Sequence, residues 1–145
     1  MTKDRSSCYA ELGAVKIEGR DYRARVTDLD TTAVILASHG GGIEPTTSEI
    51  AMAVAGTSYS LYLFERLSRK GGHVELHIRS ERFDEPRGVV RVLKATTGVA
   101  IYGRADCEDP EAVWIGGLDD TLRCSADFIL DYLSSSMRRR RQLIG

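Results

Sequence analysis

The pattern of apolar and polar residues predicts several strands separated by helices. Residues 22–26 alternate in polarity, which is typical of an edge or half-exposed strand. Residues 32–38 form a short continuous apolar run, as in a strand buried on both faces. Residues 59–64 indicate a strand or a short apolar element, and runs at 99–102 and 112–115 predict two more strands. Residues 74–79 also alternate, which places His77 and Arg79 on the face opposite Leu76 and Ile78.

Helices are predicted between and after these strands. Thr47 and Ser48 are favourable N-cap residues for a helix over 49–55 that ends near Gly56. A second helix is expected to begin at Pro86. Its apolar positions are Val89, Val90, Leu93 and Thr97.

Asp119 is positioned to cap a third and last helix. The apolar residues of this helix recur at steps of three or four and form one stripe: Leu122, Ala126, Ile129, Leu133 and Met137. Four arginines, 138–141, follow the stripe, and they suit either a solvated, dipole-matched helix end or contact with an anionic polymer.

The alternation of strands and helices predicts an α/β fold, a three-layer sandwich around a mixed, mainly parallel sheet. A length of 145 residues favours one domain over residues 1–145. The net charge of -1 predicts neither a nucleic-acid partner nor an anionic membrane surface.

No apolar run reaches the roughly 20 residues that span a bilayer, and the N-terminus lacks the apolar stretch of a signal peptide. Cys8, Cys107 and Cys124 are odd in number and widely spaced, which suits reduced thiols in a cytoplasm. We therefore expect a cytoplasmic location, with a phage-encoded or exported route as the alternative.

The most informative segment follows the buried strand at 32–38. His39 stands at the carboxyl end of that strand, where ligands bind in open α/β sheets. Three glycines then permit a sharp turn, and Glu44 comes five residues after His39. A histidine and a carboxylate brought together in this way form two-thirds of a catalytic zinc site. The alternative is a plain turn or an anion nest, with His39 hydrogen-bonded locally.

Two other interpretations of the glycine run do not fit. His-Gly-Gly-Gly also occurs in the oxyanion hole of esterases, but a Gly-x-Ser-x-Gly elbow and a later catalytic histidine are missing here. A phosphate-binding P-loop requires Gly-Lys-Ser or Gly-Lys-Thr at its end, whereas this loop continues Ile43-Glu44-Pro45-Thr46.

Residues 39–50, His-Gly-Gly-Gly-Ile-Glu-Pro-Thr-Thr-Ser-Glu-Ile, resemble the signature of the poly-γ-glutamate hydrolase family of phages and bacteria. Further matches occur in the same order at residues 9–12, 21–22, 61–64, 76–80, 83–86 and 114–119. The resemblance covers nearly the whole chain. It implies a fold similar to the zinc carboxypeptidases, C-terminally shortened here, and hydrolysis of γ-glutamyl amide bonds.

The same resemblance implies Zn²⁺ as the cofactor, His39 and Glu44 as its ligands, and an anionic polyglutamate as the partner. Arg79 or Arg82 would bind substrate carboxylates, because a guanidinium pairs with carboxylate in a bidentate way. A solvated surface position is the alternative for both arginines, and a structural role is the alternative for His77.

Two features depart from the family pattern. Tyr102 stands where the family carries a histidine that resembles the third zinc ligand, and it could ligate metal only as phenolate. His77 and Cys107 are other candidates for that ligand. The second departure is that the chain ends without the family segment that resembles Gly-Val-Gln-Leu-Glu and supplies the general base.

Glu49 and Glu85 are candidate replacements for that base. The sequence therefore leaves two functions open: a zinc-dependent γ-glutamyl hydrolase, active or impaired, and a catalytically inactive polyglutamate-binding module.

Overall fold

A computed structural model of the chain describes residues 6–67, 75–104 and 113–142, with only the backbone from residue 132 onward. Two compact units make up the chain, Met1–Arg104 and Ala105–Gly145. The elements of the first unit are α1 (Tyr9–Val15), β1 (Tyr22–Thr27), β2 (Ala33–Gly41), α2 (Thr47–Ala55), β3 (Ser60–Arg66), α3 (Pro86–Lys94) and β4 (Thr97–Ala100), with a 3-10 turn at Ser80–Arg82. The second unit contains α4 (Asp120–Gln142).

Four strands form one sheet in the order β1-β3-β2-β4. The central strand β2 runs parallel to both β3 and β4, and β1 pairs antiparallel with β3, with Tyr22 opposite Arg66. The expected α/β class with a mixed, mainly parallel sheet is therefore confirmed. The strands predicted at 22–26, 32–38, 59–64 and 99–102 are present with shifted ends.

The sheet separates two hydrophobic clusters, since successive side chains of a strand point to opposite faces. On one face Tyr62 and Phe64 of β3 pack with Leu12 of α1 and with Tyr22. On the other face Leu63 packs against β2 and the small residues of α2. Within the first unit, helices therefore cover both faces of the sheet, as the three-layer prediction requires.

The predicted strand at 74–79 is wrong for the part that the structure describes. Residues 75–79 form no ladder and lead into the 3-10 turn. Their alternation is nevertheless real, since Leu76 and Ile78 are buried whereas Arg79 is exposed. The reason is that this irregular segment buries Leu76 and Ile78 in the core, while the carbonyl of Ile78 contacts the side chain of His39 rather than a strand.

The start of α2 differs from the prediction. The helix begins at Thr47, and its N-cap is Thr46 with a left-handed φ of 74° and no side-chain cap. The hydroxyls of Thr47 and Ser48 are instead used by the preceding loop. Thr47 Oγ1 donates to the carbonyl of Glu44 at 2.8 Å, and the amide of Gly41 donates to Ser48 Oγ at 3.3 Å. Gly56 ends the helix, as predicted.

The helix predicted at Pro86 is present, but its packing face is different. Gly88 is its buried residue, and Val89, Val90 and Leu93 are exposed among the described residues. Thr97, predicted as a further apolar position of this helix, lies in β4.

In the second unit, residues 113–115 form no strand, in contrast to the prediction for 112–115. The last helix is confirmed as α4, and Asp119 Oδ1 accepts from the amide of Leu122 at 2.9 Å. The arginine run 138–141 lies in this helix, and its side chains are outside the described part. Among the described residues, no helix is long and apolar enough to cross a membrane.

Candidate metal centre

The glycine run after His39 makes a turn that larger residues would not permit. A Cβ atom on Gly40 would lie 2.2 Å from Ser48 Oγ, and one on Gly41 would lie 2.6 Å from the carbonyl of Arg66. Gly41 also has a positive φ of 62°, which other residues rarely adopt. The turn closes with a bond of 2.8 Å from the amide of Glu44 to the carbonyl of His39. Residues 39 and 44 are therefore brought side by side, as the sequence predicts.

The imidazole of His39 is buried between two groups that can only accept a hydrogen bond. Nε2 lies 2.7 Å from the carbonyl oxygen of Ile78, and Nδ1 lies 3.1 Å from Oε1 of Glu44. Because a carbonyl cannot donate, Nε2 must carry a proton. The lone pair of Nδ1 would then face a carboxylate oxygen unless a cation lies between them. His39 is thus either an imidazolium or a partner of Glu44 in holding a metal ion.

Glu44 is held in its ionised form by the same arrangement. Its second oxygen, Oε2, accepts from the backbone amide of Gly103 at 2.7 Å. Burial raises the pKa of Glu44, but the hydrogen bonds from His39 and Gly103 and the nearby histidines outweigh it and lower the pKa below 4.5. A carboxylate fixed through one oxygen suits a metal site, and a metal ion would replace the contact of the other oxygen, Oε1, with His39.

His77 completes a cluster of three potential ligands. One ligand atom from each of His39, Glu44 and His77 lies within 4.8 Å of the others, and the two imidazole rings are 4.3 Å apart. Zinc bonds of about 2.0–2.2 Å place ligand atoms roughly 3.5 Å apart, so small side-chain rotations would close this set around an ion. Two histidines and one glutamate are a known catalytic zinc donor set that leaves a fourth position open. The residues present fit zinc.

Tyr102 lies beside this cluster. Its ring is 5.5 Å from the ring of His39 at an angle of 57°, and the residue is about half exposed. The loop that follows β4 therefore supplies both an aromatic neighbour, Tyr102, and a backbone donor, Gly103.

Comparison with known proteins identifies the family of the chain. The family model described as "Poly-gamma-glutamate hydrolase" matches residues 7–133. The chain belongs to this family. The SPβ prophage-derived protein YoqZ of Bacillus subtilis strain 168 is 40% identical over 124 residues, which cover 81% of the chain and 44% of YoqZ. YndL of the same strain is 38% identical over 99 residues, which cover 68% of the chain and 38% of YndL.

Two solved structures of the family resemble the chain. A structure of YndL in its apo, zinc-free form has a TM-score of 0.67 at 35% identity and covers 72% of the chain. A structure of a bacteriophage poly-γ-glutamate hydrolase has a TM-score of 0.70 at 30% identity and covers 74% of the chain. The chain spans about half the length of each of these structures. A likeness to the zinc carboxypeptidases stays a prediction.

The two arginines expected to bind substrate follow His77 closely in the sequence. Arg79 directly follows Ile78, and Arg82 ends the 3-10 turn. Both side chains are exposed, and the guanidinium of Arg79 is 3.9 Å from the carboxylate of Glu81. Their role in binding carboxylates stays a prediction.

The candidates for a general base lie apart from the ligand cluster. Glu85 is buried and accepts hydrogen bonds from Tyr62 Oη at 2.8 Å, the amide of Gly88 at 2.9 Å and Arg87 Nε at 2.7 Å. These bonds give Glu85 a structural role as the cap of α3. Glu49 is exposed in the first turn of α2. Cys107, a candidate third ligand, lies outside the described residues.

Sequence reasoning missed the two backbone groups that orient the ligands, the carbonyl of Ile78 and the amide of Gly103. Every residue carries such groups, so no residue type marks them. The sequence offers no signal that places the segment around His77 near His39.

Proposed function

We propose that the chain binds one zinc ion through His39, Glu44 and His77 and hydrolyses γ-glutamyl amide bonds of poly-γ-glutamate. The observation that carries the proposal is the grouping of His39, Glu44 and His77, whose ligand atoms lie within 4.8 Å of one another. The Ile78 carbonyl keeps a proton on Nε2 of His39, so that Nδ1 faces the Glu44 carboxylate. Membership of the family supports the substrate. The zinc-free description of the related YndL structure supports the metal.

The residues around the centre have separate tasks in this proposal. The Ile78 carbonyl fixes the tautomer of His39, and the Gly103 amide fixes the carboxylate of Glu44. Zinc, when bound, supplies Lewis acidity that polarises the amide carbonyl and lowers the pKa of water. Arg79 and Arg82 are proposed to hold carboxylates of the polymer on either side of the cleaved bond, through bidentate pairing.

A second candidate function is a polyglutamate-binding module without catalysis. The observation that favours it is Tyr102, which lies against His39 where the family resemblance implies a histidine ligand. A phenol ligates zinc only after deprotonation from a reference pKa near 10, so the centre would hold fewer ligands than its relatives.

The test is zinc content per chain together with release of glutamate oligomers from poly-γ-glutamate. Glu44→Gln removes the ligand charge, and Glu11→Gln is its matched control, since Glu11 is exposed in α1, bonded to Ser7 and outside the ligand cluster. The proposal requires about one zinc per chain and oligomer release, both lost in Glu44→Gln and kept in Glu11→Gln. Zinc and polymer binding without release would favour the binding module. A folded chain with neither zinc nor turnover would contradict both the metal and the activity.

A further inference from the structure

A cavity of about 330 Å³ adjoins the candidate metal centre on the face of the sheet covered by α3. Ser38, which precedes His39 in β2, and Tyr102, whose ring lies against His39, both line it. Two residues of the cavity wall are therefore direct neighbours of the ligand His39. Its volume is in the range of small-molecule pockets, which begin at roughly 300 Å³.

The walls of the cavity are largely apolar. They come from the exposed side of α3, including Val92 and Leu93, and from Leu36 and Phe83 on the opposite side. None of the described residues that line it carries a charge. A carboxylate placed inside would lose its hydration without gaining a cationic partner, which is strongly unfavourable.

One hydroxyl of the cavity lacks a partner. Ser38 is 7% exposed, and its Oγ is the buried side-chain polar atom that has no hydrogen-bond partner in the part of the chain that the structure describes. The hydroxyl of Tyr62, which also lines the cavity, is in contrast bonded to Glu85. Buried polar atoms are nearly always satisfied, by protein, by water or by a ligand.

We propose that this cavity binds an uncharged, largely apolar group with one polar atom that hydrogen-bonds to Ser38 Oγ. The apolar walls would take the hydrophobic part, and the buried, unsatisfied hydroxyl of Ser38 would fix its orientation. As far as it concerns substrates, this inference rests on the proposed function and deepens it. It implies that the chain accepts γ-glutamyl amides in which the group beside the cleaved bond is apolar, such as a γ-glutamyl anilide, besides the anionic polymer.

Binding is tested without turnover, with three probes of similar size: benzyl alcohol, toluene and benzoate. Each is titrated into the full chain, with and without zinc, and followed by amide chemical shifts. In the zinc-free chain, benzyl alcohol is expected to bind most tightly and benzoate most weakly, because no charged residue lines the cavity. Benzoate binding as tightly as benzyl alcohol would overturn the proposal.

One single variant and one matched pair sharpen the test. Ser38→Ala should weaken benzyl alcohol by roughly 2- to 10-fold, the value of one net hydrogen bond, and leave toluene unchanged. Val92→Trp should fill the cavity and abolish binding of both probes. Its matched control is Val90→Trp, since Val90 and Val92 are 45% and 47% exposed in the same helix and only Val92 lines the cavity. Equal effects of the two tryptophan variants, or no effect of Ser38→Ala on benzyl alcohol, would overturn the assignment.

The proposed ligand of the cavity and the proposed hydrolase function can be contradicted separately. Probe binding with the expected variant pattern, but without hydrolysis of poly-γ-glutamate or γ-glutamyl anilide, would support the cavity and contradict the hydrolase. Hydrolysis of the polymer with no binding of benzyl alcohol would support the hydrolase and overturn the cavity.

Discussion

The carbonyl oxygen of Ile78 lies 2.7 Å from Nε2 of His39. This contact joins an irregular segment, residues 75–79, to the end of the central strand β2. It also decides which nitrogen of the imidazole faces Glu44, because the nitrogen beside a carbonyl must donate. The segment that places Ile78 also carries His77, so the orienting group and the proposed third ligand are adjacent along the chain.

Replacement of His77 tests which residue supplies the third ligand. We expect His77→Ala to lower zinc affinity by more than the roughly 10- to 100-fold that loss of an outer partner causes, because one of three direct ligands disappears. Tyr102→Phe should leave the affinity unchanged, since it keeps the ring against His39 and removes only the hydroxyl. Competition with a chromophoric chelator measures both values. A large loss in Tyr102→Phe with none in His77→Ala would assign the ligand to the phenolate.

Tyr102→His should strengthen the centre. The ring of residue 102 lies 5.5 Å from that of His39, and a neutral imidazole ligates zinc without the deprotonation that a phenol requires. We expect zinc affinity to rise by about 10-fold or more, the scale on which ligand-sphere changes act. The same chelator competition measures this, with oligomer release from poly-γ-glutamate as a second readout.

The control for this gain is Tyr59→His. Tyr59 is also about half exposed, but it precedes β3 and lies at the amino end of a strand parallel to β2, away from the carboxyl end where His39 stands. Its replacement should not change zinc affinity. An equal rise in both variants would mean that added histidines bind zinc non-specifically, and the position of Tyr102 would have no special meaning.

The glycine run after His39 was sufficient to predict its proximity to Glu44, and the apolar pattern was sufficient to predict the four strands of the sheet but not their order. It was insufficient at residues 75–79, where alternation reports only that one side of the segment is buried. A strand also requires a neighbour with free backbone groups, and the Ile78 carbonyl is used by His39 instead. The N-cap prediction for Thr47 and Ser48 failed for a similar reason, because residue type does not show which partner a group will bond. Their hydroxyls suit an N-cap, but in the structure they bond to the loop that contains the glycine turn.

Glu85→Ala should destabilise the fold. Three donors, from Tyr62, Gly88 and Arg87, would lose a buried acceptor, and α3 would lose its N-terminal cap. Loss of the cap bond to Gly88 costs about 1 kcal/mol, and the buried Tyr62 hydroxyl left unsatisfied costs about 1–3 kcal/mol, whereas the partly exposed Arg87 can bind water instead. We therefore expect a loss of about 2–4 kcal/mol in the free energy of unfolding. Urea denaturation measures it. Glu81→Ala, at an exposed position, should lose far less, and similar losses would contradict the structural role of Glu85.

The stability of the first unit should depend on the ionisation of Glu65. This carboxylate is buried in β3 and accepts from Arg23 Nε at 2.7 Å and Arg25 Nε at 2.8 Å. Burial raises the pKa of Glu65, but the hydrogen bonds from Arg23, Arg25 and Ser48 outweigh it and lower the pKa below 4.5. A folded pKa below the unfolded one means that the stabilisation is complete above about pH 4.5 and is lost as the pH falls through the folded pKa.

Glu65→Gln should therefore reduce the free energy of unfolding at pH 7 by about 1–2 kcal/mol, a modest value because both arginines are partly exposed and their charges are screened. The loss should shrink as the pH falls, because protonation removes the same charge from the wild type. Urea denaturation from pH 7 to about pH 3 measures this convergence. Glu81→Gln, as the exposed control, should follow the wild type throughout. If the Glu65→Gln curve stays parallel to the wild type down to the lowest pH, the charge of Glu65 does not stabilise the pairing of β1 with β3, and the arginines act there only through their packing.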